Sequence, residues 1–341
     1  MIESSRAPAL SVILPCEEGF EYVRRTVRAL RMQTVRDQIE LVLVTTTNQT
    51  LDFDSEEING FHSVRVVVAP GLLGNRARAA GIRCAAAPIV ALAEDHCYPE
   101  PGWAAALIAT FEGGWSAVGP AMYNANPGSA LSWVNLLLAF GPWVAPAEAG
   151  AVAQLPWHNA TYKRAPLLEY GGDLGELMDV EGMLQRDLAR KGHRFYHEVA
   201  AQTYHLNVSR FSSTVIHRLD ASRLFAGYRS RRWSPLKRLA YILGAPSIPL
   251  IRLWRTLPML RKVDARPGVV ARILPVLVGC LVLDTLGETV GYALGAGDTV
   301  SKVEMFERLR FRHLSRADQR AYDAGGLGRP AYAQDASHEQ S

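Results

Sequence analysis

The segment from 88 to 103 places acidic and imidazole groups at the end of a predicted buried strand. Ile89 to Ala93 is a short apolar run of the kind that is covered on both faces of a sheet, and Glu94, Asp95 and His96 follow it directly. Carboxylates and imidazoles bind metal ions and move protons. In open α/β sheets, ligands bind outside the carboxyl ends of the strands. This segment is therefore the first candidate site, although an acidic turn that only caps the next helix fits the same residues.

A second group of carboxylates precedes a predicted helix farther along the chain. Leu184, Leu188 and Gly192 recur at four-residue intervals, which predicts a helix that stops at the glycine. Glu181 lies at the start of this helix, where the helix dipole stabilises a carboxylate. Such a group can accept the proton of an attacking hydroxyl, and Asp179 is the second candidate for that role. A first-turn Glu that serves only helix stability is the competing interpretation.

A glycine-bearing loop that begins at Gly71 runs into an Ala-rich helix that contains Arg76 and Arg78. Backbone N–H groups at a helix start, with guanidinium groups beside them, can bind a diphosphate. Glycine-rich loops before helices are common, and an exposed Arg usually contacts only solvent. The loop alone therefore leaves both interpretations open.

The elements that position these residues begin in the order strand, helix, strand. Leu10 to Leu14, Glu40 to Val44 and Val64 to Ala69 are predicted strands, and Phe20 to Met32 has helical spacing of apolar residues. Short links between such elements predict a doubly wound sheet.

Strand-like pieces also follow the acidic segment. Ser116 to Tyr123 is predicted as one strand, and Arg194 to Tyr196 and Ala200 to Tyr204 as two more pieces, with His205 directly after them. The apolar residues between 124 and 156 show no clear period, and we interpret them as a lid or an acceptor-side insertion.

The acidic segment resembles the metal-binding segment of family 2 glycosyltransferases of the GT-A fold, specifically the membrane-associated bacterial type. In that family an acidic triplet precedes Pro-Gly-Trp, whereas Glu94, Asp95 and His96 occupy these positions here. The resemblance implies a metal held by Asp95, His96 and His205. Because imidazole is a softer ligand than carboxylate, Mn²⁺ is favoured over Mg²⁺.

The same resemblance implies a binding site for a nucleotide-diphosphate sugar. In the family, the loop after the first strand contacts the nucleotide, and an Arg-bearing segment precedes the acidic triplet. The residues that correspond to donor contacts are Pro15, Cys16, Glu17, Arg76, Arg78, Glu94, Asp95 and Asn159. Thr45 to Thr47 replaces the Asp that usually contacts the base, so the base stays open, with a UDP-sugar favoured.

The helix that begins near Glu181 resembles the Glu-Asp motif whose Asp is the catalytic base of the family. Aligning the leucines places Glu181 on that position, with Asp179 as the fallback. The resemblance implies one direct displacement that inverts the anomeric centre. On the acceptor side it points to Trp157 and His158, and to Arg232 and Trp233 within an Arg-x-x-Arg-Trp pattern.

Two other functions fit parts of the sequence. A catalytically inactive protein that binds nucleotide-sugar or lipid on the same fold would explain the altered triplet and the missing base-contacting Asp, but it has no need for Glu181. A nucleotidyltransferase on a related sheet would use an early Gly-rich loop with a Lys, and residues 15 to 25 contain no Lys. The inactive protein therefore remains the alternative to the transferase.

Charge is unevenly distributed along the 341 residues. Between Arg210 and Arg272 there are 14 Lys or Arg against two Asp, a local net charge of +12, which leaves −8 for the rest of the chain. Basic residues interleaved with Leu, Ile, Trp and Pro suggest an anionic membrane surface, and the sequence has no RNA-binding or helix-turn-helix signature that would favour nucleic acid.

Two apolar stretches in this basic part could contact the membrane. Leu236 to Met259 is interrupted by Pro and Arg and is typical of an interfacial or re-entrant segment. Ile273 to Leu294 is the best candidate for a membrane helix, but Asp284 and Glu288 share one of its faces, so crossing the bilayer and lying in its interface both stay open. We expect attachment to the cytoplasmic face of the inner membrane and a role with a lipid-linked or glycan acceptor in cell-envelope polysaccharide or glycolipid synthesis.

The expected fold class is α/β, with a GT-A mixed sheet, helices on both of its faces and a C-terminal helical membrane-associated region. We predict a catalytic domain at 1–212, the helical region at 213–315 and a polar, disordered tail at 316–341. The four cysteines lack paired or zinc spacing and predict reduced thiols in a cytoplasmic setting, in agreement with the lack of a secretory signal.

Overall fold

The structure is a computed structural model that describes residues 7–46, 51–179, 182–263, 267–325 and 327. These residues divide into two compact units. The first takes the described residues up to Tyr123 together with Ala145–His205, and the second takes Asn124–Val144 and the described residues from Leu206 onward. The insertion predicted at 124–156 is thus divided between the two units.

The first unit is built on one mixed sheet. The strands in the described residues are β1 (Leu10–Pro15), β2 (Ile39–Thr45), β3 (Ser63–Val68), β4 (Ile89–Leu92), β5 (Cys97–Pro99), β6 (Ala117–Asn124), β7 (Gly150–Val152), β8 (Thr161–Lys163) and β9 (Phe195–His205). Their order is β3-β2-β1-β4-β8-β6-β9-β5, and β7 pairs with β9. The four strands from β3 to β4 pair in parallel, and β8 runs antiparallel to β4.

Helices account for most of the remaining described residues. They are α1 (Phe20–Arg31), α2 (Gly74–Cys84), α3 (Trp103–Phe111), α4 (Ala130–Phe140), α5 (Arg164–Leu168), α6 (Leu174–Asp179), α7 (Met183–Arg190), α8 (Phe211–Arg229), α9 (Pro235–Gly244), α10 (Ile248–Thr256), α11 (Pro267–Leu294), α12 (Thr299–Arg308) and α13 (Arg316–Asp323). The second unit contains α4 and α8 to α13. Helix α13 occupies the first part of the predicted tail, whereas residues 326 and 328–341 lie outside the described residues.

The sheet is covered by helices on both faces, which explains why β1, β2 and β4 are mainly apolar. Leu41 and Leu43 of β2 belong to the hydrophobic core that contains residues of α1 and α3. Val42 and Val44 point the other way, into the core that contains residues of α2, α6 and α7. Successive strand residues point to opposite faces, so both sets of positions are mostly apolar. Ser11 and Glu40 are buried exceptions, and the Ser11 hydroxyl donates a hydrogen bond to the Glu40 carboxylate. The predicted α/β fold with helices on both faces is confirmed.

The last strand of the sheet differs from its prediction. We expected two pieces, at Arg194 to Tyr196 and at Ala200 to Tyr204, but β9 is one continuous strand of 11 residues. Its first part pairs with β7 and its last part with β5, both antiparallel. Different partners therefore hold the two ends of one strand, and the polar residues between them do not interrupt it.

In the second unit, α8 and α11 pack closely because α11 has glycine at the contact. A Cβ built on Gly287 would lie 2.4 Å from the backbone oxygen of Leu219, and one on Gly291 would lie 2.4 Å from that of Arg223. Small residues allow helix backbones to approach in this way. By length and composition, α11 is also the one helix among the described residues that could cross a membrane, over Gly268–Leu294.

Replacing Gly291 by Ala is expected to lower the free energy of unfolding of the second unit by about 1–3 kcal/mol, because the new methyl group would meet backbone atoms of α8. Gly279 offers a matched control in the same helix, since nothing lies within 4 Å of its Cβ position. Gly279→Ala is expected to raise the same free energy by up to about 1 kcal/mol through helix propensity. Urea unfolding followed by far-UV circular dichroism checks both values, and equal effects would contradict the close contact.

Candidate functional site

The acidic segment forms a turn between β4 and β5, and α1 holds this turn in place. The hydroxyl of Thr26 lies within hydrogen-bond distance of three backbone oxygens of the turn, at 3.2 Å from Glu94, 2.9 Å from Asp95 and 3.1 Å from Cys97. Strand β5 then pairs with β9 so that Cys97 lies opposite His205. The fold thereby brings together groups that are far apart in the chain.

The carboxylate of Glu94 lies at the centre of this group. Its Oε2 atom accepts a hydrogen bond of 2.8 Å from the side-chain amide of Asn159. The same atom lies 3.7 Å from His96 Nε2 and 3.9 Å from His205 Nε2, and the other oxygen, Oε1, lies 3.3 Å from His158 Nδ1. Three imidazoles therefore surround one buried carboxylate.

Asp95 orients the ring of His96. Its Oδ1 atom lies 2.6 Å from His96 Nδ1, which favours the proton on Nδ1 and leaves the lone pair of Nε2 directed at the group around Glu94. His96 is 3% exposed, and its Nε2 atom has no hydrogen-bond partner among the described residues. A buried imidazole nitrogen without a partner is costly in a folded protein unless a ligand or water satisfies it.

Four side chains offer donor atoms that a single cation could contact. They are Glu94, His96, Cys97 and His205, all buried, with one donor atom of each within 4.8 Å of the others. We call these four residues the donor cluster. One carboxylate, two imidazoles and a thiol fit a divalent transition metal better than Mg²⁺, which prefers oxygen ligands. Asp95, predicted as a ligand, contacts the ring of one of these histidines.

The electrostatics of the donor cluster favour an ionised carboxylate. Burial alone would raise the pKa of Glu94, but the imidazoles of His96, His158 and His205 hold that pKa well below its usual range. A charged carboxylate is the form that binds a cation or accepts hydrogen bonds. The Asn159 amide, predicted to contact the donor sugar, is 4% exposed and bonded to this carboxylate.

The predicted donor loop lies at the same edge of the sheet. β1 ends at Pro15, and the N–H of Cys16 donates to Val44 at the end of β2. Glu17 Oε1 accepts a hydrogen bond of 2.8 Å from the backbone N–H of Gly74, the first residue of α2. Burial raises the pKa of the Cys16 thiol to about 12, so this cysteine stays protonated.

The predicted guanidinium groups lie on the first turns of α2, and the two differ in exposure. Arg78 is 8% exposed, and its side chain donates to Asn75 Oδ1 at 3.3 Å. The Arg76 side chain is 63% exposed and lies 3.5 Å from Asp179 Oδ2. Burial raises the pKa of Asp179, although Arg76 acts against this. The fallback base is therefore close to the proposed diphosphate loop.

Glu181 lies outside the described residues, so its assignment as the base stays a prediction. A small pocket lies between the sheet and the helices α2, α6 and α7. It is lined by Asn75, Leu92, His158, Tyr162, Leu177, Met178, Gly182, Leu184 and Gln185. Helix α7 begins at Met183, two residues after the predicted start at Glu181, and follows Gly182 with a φ of 67°.

The predicted acceptor residues fall in both units. Trp157 and His158 belong to a short 3-10 helix, Trp157–Asn159, in the first unit. Arg232 and Trp233 follow α8 in the second unit, where Trp233 stacks on Tyr292 with ring centroids 5.6 Å apart. The roles of all four stay predictions.

Two members of the site were not singled out from the sequence. Cys97 was interpreted only as a reduced thiol, and Thr26 only as part of a helix. Position alone could have indicated Cys97, because it follows the acidic triplet directly. Nothing in the spacing of α1 indicates that Thr26 contacts a turn roughly 70 residues away.

Comparisons with known proteins agree with this geometry. The family model for glycosyl transferase family 2 matches residues 11–173. A search of curated proteins gave no match. Among solved structures, the mannosyltransferase PcManGT from Pyrobaculum calidifontis, in complex with GDP-Man and Mn²⁺, is 15% identical with a TM-score of 0.50, over 83% of this chain and 88% of that one.

A second similar structure is TarS 1-349 from S. aureus, which is 14% identical with a TM-score of 0.42, over 84% of this chain and 91% of that one. The family match begins within β1 and ends directly before α6, so it includes the turn that carries Glu94 and His96. From this match and the observed sheet, we conclude that the chain carries a family 2 glycosyltransferase domain of the GT-A fold and is a glycosyltransferase.

Proposed function

We propose that the domain transfers a sugar from a nucleotide-diphosphate sugar, with a UDP-sugar as the first candidate, to a hydroxyl of a lipid-linked or polysaccharide acceptor. The observation that carries this proposal is the position of two groups at one edge of the sheet. The donor cluster follows β4, and the loop from Pro15 to Glu17 follows β1, which pairs with β4 in parallel. Ligands of open α/β sheets bind at this edge.

In this proposal the donor diphosphate lies against the start of α2. The positive end of the helix dipole and the two guanidinium groups of Arg76 and Arg78 supply positive charge for an anion. Glu17 is bonded to the backbone N–H of Gly74 and holds the loop after β1 against this helix start. The buried Arg78 is the more rigid of the two cationic groups.

The donor cluster would hold a divalent cation, with Mn²⁺ favoured over Mg²⁺ because three of its four donors are nitrogen or sulfur. Such a cation, when bound, neutralises charge that develops on the leaving diphosphate. The solved mannosyltransferase that shares the fold contains Mn²⁺, which supports this choice. Asp95 contributes by fixing the ring of His96.

Glu181 is proposed to accept the proton of the acceptor hydroxyl as that oxygen attacks the anomeric carbon. The attack occurs from the face opposite the leaving diphosphate, so a single displacement inverts the anomeric configuration. Asp179, which lies beside Arg76, is the second candidate for the base.

The acceptor side and the cellular location complete the proposal. We assign Trp157, His158, Arg232 and Trp233 to acceptor binding, and we place the protein on the cytoplasmic face of the inner membrane, in cell-envelope polysaccharide or glycolipid synthesis. Support for the membrane comes from α11, which is apolar over Gly268–Leu294, and from the basic residues that precede it.

The test is release of nucleoside diphosphate from a panel of UDP-, GDP- and dTDP-sugars by the purified full chain, with membrane lipid extract as the acceptor source. We expect release from one donor class, stimulated by Mn²⁺ more than by Mg²⁺. If a donor binds in calorimetry but no diphosphate is released with any lipid extract, the transferase proposal fails and the inactive binding protein becomes the better interpretation.

Replacing His96 by Ala is expected to weaken Mn²⁺ binding by about 10–100-fold or more, because the variant loses a donor atom that has no other partner among the described residues. Isothermal titration with Mn²⁺ measures this loss without an enzymatic readout. His62→Ala is the control, since His62 precedes β3 and lies outside the donor cluster. If a folded His96→Ala protein binds Mn²⁺ with unchanged affinity, the donor cluster is not the metal site.

A further inference from the structure

Helix α11 has a continuous apolar strip on its exposed side. Its large exposed residues recur at every fourth position, namely Leu274, Val278, Val282, Leu286, Val290 and Leu294. Residues four apart are neighbours on a helix surface, so these side chains form a strip that extends roughly 30 Å along the helix axis, at 1.5 Å per residue, and turns by about 40° around the axis at each step. We call it the apolar strip.

The neighbouring helices carry further exposed apolar side chains. Both α9 and α10 pack against α11. They add six large exposed side chains, namely Leu236, Leu239, Leu243, Leu250, Ile251 and Trp254. We call these six residues and the apolar strip together the apolar surface. Exposed patches of this extent on soluble proteins mark interaction sites.

The charges around the apolar surface indicate the chemistry of its partner. Residues 221–263 contain ten Lys or Arg and no Asp or Glu. Among them, Arg231, Arg232, Lys237, Arg255 and Arg261 are exposed. Apolar side chains with basic residues beside them fit the headgroup region of an acidic bilayer. There, anionic headgroups can pair with the basic residues, and the acyl chains beneath them can contact the apolar side chains. Trp254, 74% exposed, is the residue type that favours this boundary.

The side of α11 opposite the apolar strip is bonded to the rest of the second unit. Asp284 and Glu288 are buried, and they pair with Arg218 of α8 and Arg252 of α10. Because α8 packs on Gly287 and Gly291, a membrane-crossing α11 would draw α8 into the hydrocarbon. That helix contains Arg218, Asp220 and Arg223, whose charges are costly there.

We infer that the second unit docks on an anionic membrane through the apolar surface, with α11 lying along the headgroup boundary instead of crossing the bilayer. This inference rests on the membrane association in the proposed function and specifies its residues and its geometry. Of the two placements that the sequence left open for Ile273 to Leu294, it selects the interfacial one.

The first experiment is flotation of the full chain with vesicles of phosphatidylcholine alone or with added phosphatidylglycerol. We expect binding mainly to the phosphatidylglycerol vesicles and weaker binding as salt is raised, because exposed charges are screened. Alkaline carbonate is expected to release the protein, since no helix crosses the bilayer. Retention in carbonate until detergent is added would show that α11 spans and would overturn the inference.

Leu250→Asp is the diagnostic variant, because it places a negative charge on the apolar surface. Its vesicle binding is expected to fall by about 10-fold or more, through loss of apolar burial and repulsion from the lipid. Met32→Asp is the matched control, since Met32 is 49% exposed at the end of α1 in the first unit and its replacement is expected to leave binding unchanged. If both variants bind the vesicles equally well, the apolar surface is not the part of the protein that contacts the membrane.

Two further measurements separate this inference from its alternatives. A dimer in size-exclusion chromatography that Leu250→Asp converts to a monomer, without vesicle binding by either protein, would assign the surface to a second copy of the chain. Vesicle binding by a protein that releases no diphosphate from any donor would reject the proposed function and leave the docking surface intact. Diphosphate release by Leu250→Asp toward a detergent-dispersed acceptor is expected to match the unsubstituted protein.

Discussion

Glu181→Gln is expected to lower the rate of sugar transfer by about 10²–10⁴-fold, the usual contribution of a general base. Glutamine has nearly the same shape as glutamate, but its amide cannot accept the proton of the acceptor hydroxyl. Donor binding should stay unchanged, because the proposed donor contacts lie on the loop after β1 and on α2. Single-turnover transfer measured with saturating donor isolates the chemical step, and calorimetry with the unreactive nucleoside diphosphate measures binding.

Asp179→Asn is the matched control for this prediction. Asp179 is the fallback base, and its carboxylate already lies 3.5 Å from the Arg76 guanidinium. We expect this variant to affect donor affinity more than the rate of the chemical step. The reverse result, with Asp179→Asn inactive and Glu181→Gln nearly as fast as the unsubstituted protein, would move the base to Asp179. If both variants keep full activity, neither carboxylate is the base.

Arg218→Met is expected to lower the free energy of unfolding of the second unit by about 3–5 kcal/mol, the usual effect of removing one partner of a buried ion pair. Arg218 lies 3.3 Å from Asp284, and it also donates a 2.8 Å hydrogen bond to Asn135 of α4. Without this guanidinium, the 6% exposed Asp284 would keep the hydroxyl of Ser222 at 3.0 Å and the more distant Arg252 guanidinium at 4.0 Å. Hydrogen exchange of the α11 amides reports this loss within the second unit.

The double variant Arg218→Met with Asp284→Leu tests the reason for this effect. Replacing both partners with apolar residues removes the buried charge that Arg252 alone compensates poorly, so most of the lost stability should return. Lys302→Met is a control at the exposed pair with Asp298 in the same unit, where water screens the interaction and little change is expected. If the double variant is as unstable as Arg218→Met, the buried charge of Asp284 is not the cause of the lost stability.

The sequence predicted the parts of the fold that depend on local patterns. Strands β1, β2 and β4 are mainly apolar because helices cover both faces of the sheet, and the four-residue spacing in α7 is visible in Leu184 and Leu188. The rule that ligands bind at the carboxyl ends of strands directed attention to Glu94 and His96. The prediction of His205 as a metal ligand came from the family resemblance and from its position after a predicted strand.

The remaining features depend on contacts that no local pattern records. β5, β7 and β8 have three residues each, and they are strands only because β9, β4 and β6 supply partners. Cys97 joins the donor cluster through the pairing of β5 with β9. The partners of Asp284 and Glu288 come from α8 and α10, so the sequence showed two acids on an apolar helix without showing what neutralises them.

The pairing of β5 with β9 also determines when the donor cluster can form during synthesis. Cys97 and His205 lie opposite each other in this pair, yet the family-matched residues end at 173, before β9 begins. At ribosomal rates of about 5–20 residues per second, a nascent chain would carry its acidic turn for roughly 5–20 s before His205 is made. During that interval the edge of β5 lacks its neighbour, and exposed edges invite pairing with other chains. A fragment that contains only the family-matched residues would lack β9 and His205. Its β5 edge would stay unpaired, and its donor cluster would stay incomplete.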